Sequence, residues 1–146
     1  MTETLQTRHF QRILVGYDGS AQSQKAVDVA LSLAECLGST VLLFAVARPP
    51  EPATSVELEA MLDDAREHYE QGFKPIMEKA REHNVNVQTA IAVGHPAEQI
   101  IHRAESDGVD LIILGRRGRS IVARMMLGSV SERVLRYAHC PVMVIH

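Results

Sequence analysis

Residues 12–46 read RILVGYDGSAQSQKAVDVALSLAECLGSTVLLFAV, and the period of their apolar positions changes twice. Arg12–Tyr17 is a short apolar run that ends at Asp18-Gly-Ser20, a turn signal. From Gln22 to Leu37, Ala26, Val27, Ala30, Leu31, Ala34 and Leu37 recur at helical spacing, and Gly38 is a natural stop. Thr40–Val46 is then almost continuously apolar, as expected of a strand covered on both faces. The stretch is therefore one strand–helix–strand unit.

The same alternation continues downstream. Arg48-Pro-Pro-Glu-Pro52 makes a stiff, extended loop, and Thr54-Ser-Val-Glu57 has capping-box spacing. A helix over about 55–83 is expected, with a kink near Gly72 and Pro75, because proline removes a backbone donor. Asn86–Val93 alternates as a strand. Gly94-His-Pro opens a third helix with proline in its first turn, and Gly108 ends it. Residues 110–114 form a fourth buried strand. A glycine- and arginine-rich loop, a helix over about 129–138 and a last strand, Val142–Ile145, complete the order. Strands alternating with helices of ten or more residues imply right-handed crossovers and a parallel sheet with helices on both faces. The fold class is α/β, an open, doubly wound, Rossmann-like sheet. In that class ligands sit beyond the carboxyl ends of the strands, where the strand order reverses. Attention therefore falls on Asp18, Val46, Gly94 and the loop after Leu114.

Composition narrows the function. A chain of 146 residues fits one domain, here a tail over 1–10 and a domain over 11–146. No apolar run reaches the roughly 18–20 residues of a membrane span, and the polar opening lacks the apolar core of a secretory signal. A cytoplasmic protein is expected. The net charge of -3 argues against a protein that coats nucleic acid, and 4% aromatics without tryptophan argue against base-stacking platforms. Cys36 and Cys140 match no zinc or redox spacing and read as buried small hydrophobes.

The stretch from Leu114 to Ser131 carries the chemistry. Gly115 and Gly118 come directly off a buried strand, and Gly128-Ser129 opens a helix. Glycine lets backbone approach a ligand closely, and a helix N-terminus offers free N–H groups to an anion. Ser129 and Ser131 add hydroxyls, and Arg116, Arg117, Arg119 and Arg124 add local positive charge. Together these read as a phosphate cradle. The alternative is structural: Ser129-Val-Ser-Glu132 also fits a capping box, and the arginines could be a solvated surface. The Walker pattern and the dinucleotide GxGxxG are both absent.

These residues resemble the universal stress protein family. Gly115, Gly118, Gly128 and Ser129 fit G-x2-G-x9-G-[S/T] of its nucleotide-binding branch. Ile13-Leu-Val-Gly-Tyr-Asp-Gly-Ser20, Val93-Gly-His-Pro-Ala97 and His139-Cys-Pro-Val-Met-Val-Ile145 are similar to its opening, middle and closing segments. The resemblance implies a five-stranded sheet in order 3-2-1-4-5 and ATP, ADP or AMP in the cleft, with Mg2+ or Mn2+ on the phosphates. It implies that Val46 meets adenine through its backbone and that Asp18, preceded by Gly16 and Tyr17, lies near adenine or ribose. Leu114, Gly115, Arg117 and Gly118 would line ribose and phosphates, and Gly128, Ser129, Val130 and Ser131 would hold the phosphates. Arg116-Arg117 between the first glycines departs from the family pattern.

Other residues read more plainly. The seven histidines show no metal spacing, although His95 stands at a strand end before a proline-started helix. Asp63-Asp64 is a solvated pair, and Met125-Met126 a hydrophobic contact. The resemblance implies a nucleotide-dependent switch in stress response or signalling, and since no nucleophile–base pair is recognisable, at most slow ATP hydrolysis is expected. The alternative is a dimeric interaction module whose glycine loop is only structural. In either case an unprotected, apolar edge strand at Val142–Ile145 is expected to build a homodimer.

Overall fold

The computed structural model describes residues 9–116 and 127–146. The strands are β1 (Arg12–Gly16), β2 (Thr40–Ala47), β3 (Asn86–Val93), β4 (Leu111–Gly115) and β5 (Val142–Ile145). The helices are α1 (Ala21–Leu37), α2 (Ser55–Glu82), α3 (Pro96–Ser106) and α4 (Ser129–Tyr137). All four strand pairings are parallel, and the order is β3-β2-β1-β4-β5, as the resemblance implies.

Successive strand residues face opposite sides, so two apolar layers form. Ile13, Val15, Val41, Leu43 and Ile113 pack under α1 and α2, while Leu14, Leu42, Phe44, Ile112 and Leu114 pack under α3 and α4. Ile13, Leu14, Val15, Leu43, Ile112 and Ile113 are fully buried, and such side chains each contribute about 1.5–3 kcal/mol of transfer free energy. Burial on both sides explains why these strands read as continuous apolar runs.

Helix ends follow local chemistry. Gly38 takes a left-handed φ of 70° and donates its N–H to the Ala34 carbonyl, closing α1. At the start of α2, the Thr54 hydroxyl accepts from the Glu57 N–H and the Glu57 carboxylate accepts from the Thr54 N–H, so the capping box is formed. α2 runs uninterrupted through Pro75. A glycine inside a helix costs about 1 kcal/mol against alanine, and Gly72 has a packing reason: a Cβ there would lie 2.8 Å from the Tyr17 hydroxyl oxygen. Phe10 packs against the α1/α2 layer, and its carbonyl accepts from the Ser39 hydroxyl.

One sequence expectation is corrected. Cys36 is exposed, because it falls on the outer face of α1, four residues beyond Ser32; Cys140 is half-buried, and burial raises its thiol pKa. Among the described residues no helix is long and apolar enough to cross a membrane.

Candidate functional site

The strand order reverses between β1 and β4, and a cleft opens there at the carboxyl ends of the strands. Its first wall is the turn after β1. The Tyr17 N–H donates to the Phe44 carbonyl at 2.9 Å, and the chain then leaves the sheet. Asp18 Oδ1 accepts the Ser20 N–H at 2.9 Å, and Gly19 takes a φ of 83° that disfavours any side chain. Ser20 caps α1 by accepting the Ser23 N–H at 3.1 Å, and the buried Ser23 hydroxyl donates back to the Ser20 carbonyl at 2.9 Å. The Asp18 N–H reaches the same Ser23 oxygen at 3.3 Å. This network fixes the Asp18 carboxylate at the rim.

The second wall is β2. In a parallel ladder both backbone groups of one residue point to the same side, and Phe44 is bonded to β1. Val46, two residues further, directs its N–H and C=O the same way, past the point where β1 ends. The third wall is the end of β4. Gly16, at the end of the neighbouring β1, lets Leu114 close in, since a Cβ on Gly16 would lie 2.7 Å from Leu114 Cδ2. A Cβ on Gly115 would lie 2.5 Å from the backbone of Gln22, so this glycine is required by the packing of β4 against the start of α1.

The fourth wall is the N-terminus of α4. Gly128 is its N-cap, with no side-chain cap bond, and the first helical bond runs from the Glu132 N–H to the Gly128 carbonyl at 2.9 Å. The N–H groups of Ser129, Val130 and Ser131 precede that bond and are the orphan donors of the helix. Ser129 is therefore the first helical residue and not the cap, which corrects the capping-box reading. The buried Ser131 hydroxyl donates to the Gly115 carbonyl at 3.4 Å.

The cleft thus gathers Gly16 from β1, Tyr17 and Asp18 from the turn after it, Val46 from β2, Leu114 and Gly115 from β4, and Gly128, Val130 and Ser131 from the N-terminal end of α4. Ser129 lines a neighbouring groove instead. Arg117 and Gly118, with Arg119, Arg124, Met125 and Met126, lie outside the described residues. Arg116 turns away toward the sheet edge, its guanidinium 3.1 Å from His146 Nδ1. Sequence reading missed Phe44, Pro96 and Ile100, which complete the apolar lining, and Ser20, Gln22 and Ser23. The Ser20-Ala-Gln-Ser23 spacing at a helix start could have revealed the last group. The enclosed volume is about 90 Å³, below the roughly 300–1,000 Å³ of most small-molecule sites, so a larger ligand must extend out of it.

Electrostatics add one feature. Tyr17, Tyr69 and Phe73 form an aromatic cluster behind Asp18, with Tyr17 and Phe73 centroids 5.6 Å apart. Burial first, then the charges of Asp18 and Tyr17, raise the Tyr69 pKa above its ordinary value. His95 is the N-cap residue of α3 without a capping bond, and its ring lies 2.9 Å from the Glu51 carboxylate. Among the described residues no group of three or more His, Cys, Asp or Glu could hold a metal.

Sheet order, cleft position and the bare helix N-terminus define a doubly wound α/β domain with its cleft where that class takes ligands. The chain belongs to the universal stress protein family, whose model matches residues 9–146. Universal stress protein YxiE of Bacillus subtilis is 37% identical over 146 residues, covering 93% of this chain and 99% of that one. The solved structure of universal stress protein UspA from Lactobacillus plantarum superposes with a TM-score of 0.83 at 26% identity, covering 94% and 99% of the two chains. A family protein from Arabidopsis thaliana, solved with AMP bound, gives a TM-score of 0.69 at 20% identity over 92% and 90%.

Proposed function

We propose that this universal stress protein binds an adenine nucleotide in the β1/β4 cleft and acts as a cytoplasmic, nucleotide-dependent switch in stress response or signalling. One observation carries the reading: an apolar slot and a set of orphan backbone donors share one cleft. Phe44, Val46, Ile100 and Leu114 offer a base-sized apolar surface, and the Val46 backbone supplies polar groups at its edge. The first turn of α4 supplies N–H groups and the positive end of a helix dipole to phosphate. Gly128 fits this role, since its φ of -63° and ψ of 153° suit any residue. A serine there would add a cap bond, and glycine leaves that space open.

Asp18 suits the ribose end, because a carboxylate accepts from hydroxyls and repels phosphate. ATP is the leading ligand, with ADP or AMP as alternatives, and Mg2+ or Mn2+ would be held largely by phosphate oxygens. Among the described glycines of this loop, a purely structural role is favoured at Gly115, where packing against Gln22 accounts for the residue. The further protein that reads the bound state of this switch is unknown, and the switch is also a homodimer joined through β5. This strand pairs with β4 on one side, and Val142, Met143, Val144 and Ile145 are each only partly buried. Val29 and Leu33 of α1 are, like Met143 and Ile145, partly buried against the same core layer.

Nucleotide titration tests the central claim. Ligand at a hundredfold excess over Kd stabilises the fold by about 2.7 kcal/mol. Mass spectrometry of nucleotide released from the purified protein identifies the ligand, and absence of both effects overturns the reading.

A further inference from the structure

Beside the cleft lies a second groove that the nucleotide reading leaves unused. It encloses about 350 Å³, within the range of small-molecule sites, and it is lined by Arg48, His95, Ser129, Arg133, Arg136 and Tyr137, with Glu98 and Glu132. Val130 lines both cavities, so the first turn of α4 is their common wall. Resting on the nucleotide reading, we infer that one ligand spans both cavities and is a dinucleoside polyphosphate: two nucleosides joined through their phosphates.

Three observations support this. First, the cleft encloses only about 90 Å³, so a nucleotide held there by its base must continue over the α4 N-terminus. Second, the groove holds three arginines against two glutamates. Arg133 meets Glu98 at 3.1 Å and Arg136 meets Glu132 at 3.3 Å. All four side chains are more than half exposed, and such pairs are weak enough to be exchanged for phosphate. Third, the groove is larger than a phosphate requires and carries a stacking surface. The Arg133 guanidinium lies 5.7 Å from the Tyr137 ring centroid, and Tyr137 is 54% exposed. Nucleobases stack on both tyrosine rings and guanidinium planes.

The test compares four probes by calorimetry on the full chain: AMP, ATP, adenosine tetraphosphate and diadenosine tetraphosphate. Diadenosine tetraphosphate is expected to bind one per chain and about tenfold more tightly than adenosine tetraphosphate, the gain of one stacked base. Tyr137→Ala and Arg133→Ala are expected to remove that gain while leaving AMP affinity within twofold, and both positions are exposed enough to keep the fold. Equal binding of the two tetraphosphates, or a gain that survives both substitutions, overturns the inference and leaves the nucleotide reading standing. Failure of all four probes overturns both.

Discussion

The Ser131 hydroxyl lies 3.4 Å from the Gly115 carbonyl oxygen and so ties the first turn of α4 to the last residue of β4. A hydroxyl has one proton to give. While it is held by Gly115, the donors this turn offers to the proposed phosphate are its backbone N–H groups.

Two serines of that turn are therefore expected to behave differently. Ser131→Ala should lower stability by about 1 kcal/mol in urea titration, the usual loss for one intramolecular hydrogen bond. Ser129→Ala should stay within about 0.5 kcal/mol, because its side chain is exposed and caps nothing. A loss at Ser129 as large as that at Ser131 would restore it as a cap.

Gly128→Asp should move stability and binding in opposite directions. Its extended backbone accepts aspartate, and a carboxylate at an N-cap stabilises a helix, here by a few tenths of a kcal/mol over glycine. The same charge faces the proposed phosphate position and should weaken nucleotide binding by at least about tenfold, or 1.4 kcal/mol. A more stable protein with unchanged affinity would move the phosphate elsewhere. Gly115 is unsuitable for this test, since any side chain meets the Gln22 backbone.

Tyr69 should ionise above the ordinary tyrosine range in an ultraviolet titration. Burial, Asp18 and Tyr17 all oppose its charged form, so its folded pKa lies above the ordinary 10.0. The linked stability is complete below about pH 10 and is lost as pH rises through the raised value. Asp18→Asn removes one opposing charge. The Tyr69 transition should then shift downward, and stability should fall less steeply at alkaline pH. An unchanged transition would show that Asp18 does not contribute, leaving burial and Tyr17 to set the shift.

Val144→Lys should turn a dimer into a folded monomer in light scattering. The lysine places a charge on an edge strand, a standard barrier to strand pairing. A parent chain that is monomeric at high micromolar concentration removes the proposed interface.

Much of the fold was legible because burial on both sheet faces forces unbroken apolar runs, as in Val41–Ala45. Gly38, Thr54 with Glu57, and Pro96 marked helix ends through local chemistry that needs no tertiary knowledge. Cys36 was misread because composition gives the average burial of cysteine but not the face on which one residue falls. The alternative in which Ser129 caps α4 failed because Ser-x-x-Glu spacing does not fix where the helix begins, and the backbone makes Gly128 the cap. Phe44 and Ile100 were missed because each also reads as ordinary core. Their place at the cleft depends on where β1 turns away, a property of another segment.

α2 has a thermodynamic consequence of its own length. Its 28 residues span about 42 Å, whereas the eight of β2 span about 26 Å, so one end overhangs the sheet. Its four buried residues are Ala65, Phe73, Ile76 and Ala80, while Val56 is 74% and Leu58 38% exposed. Amide hydrogen exchange should divide this continuous helix in two. Amides of residues 58–64 should exchange through local fraying restrained mainly by the Thr54–Glu57 cap, whereas those of residues 76–82 should wait for global opening. The overhanging end thus keeps its own local equilibrium, largely independent of the stability of the domain that carries it.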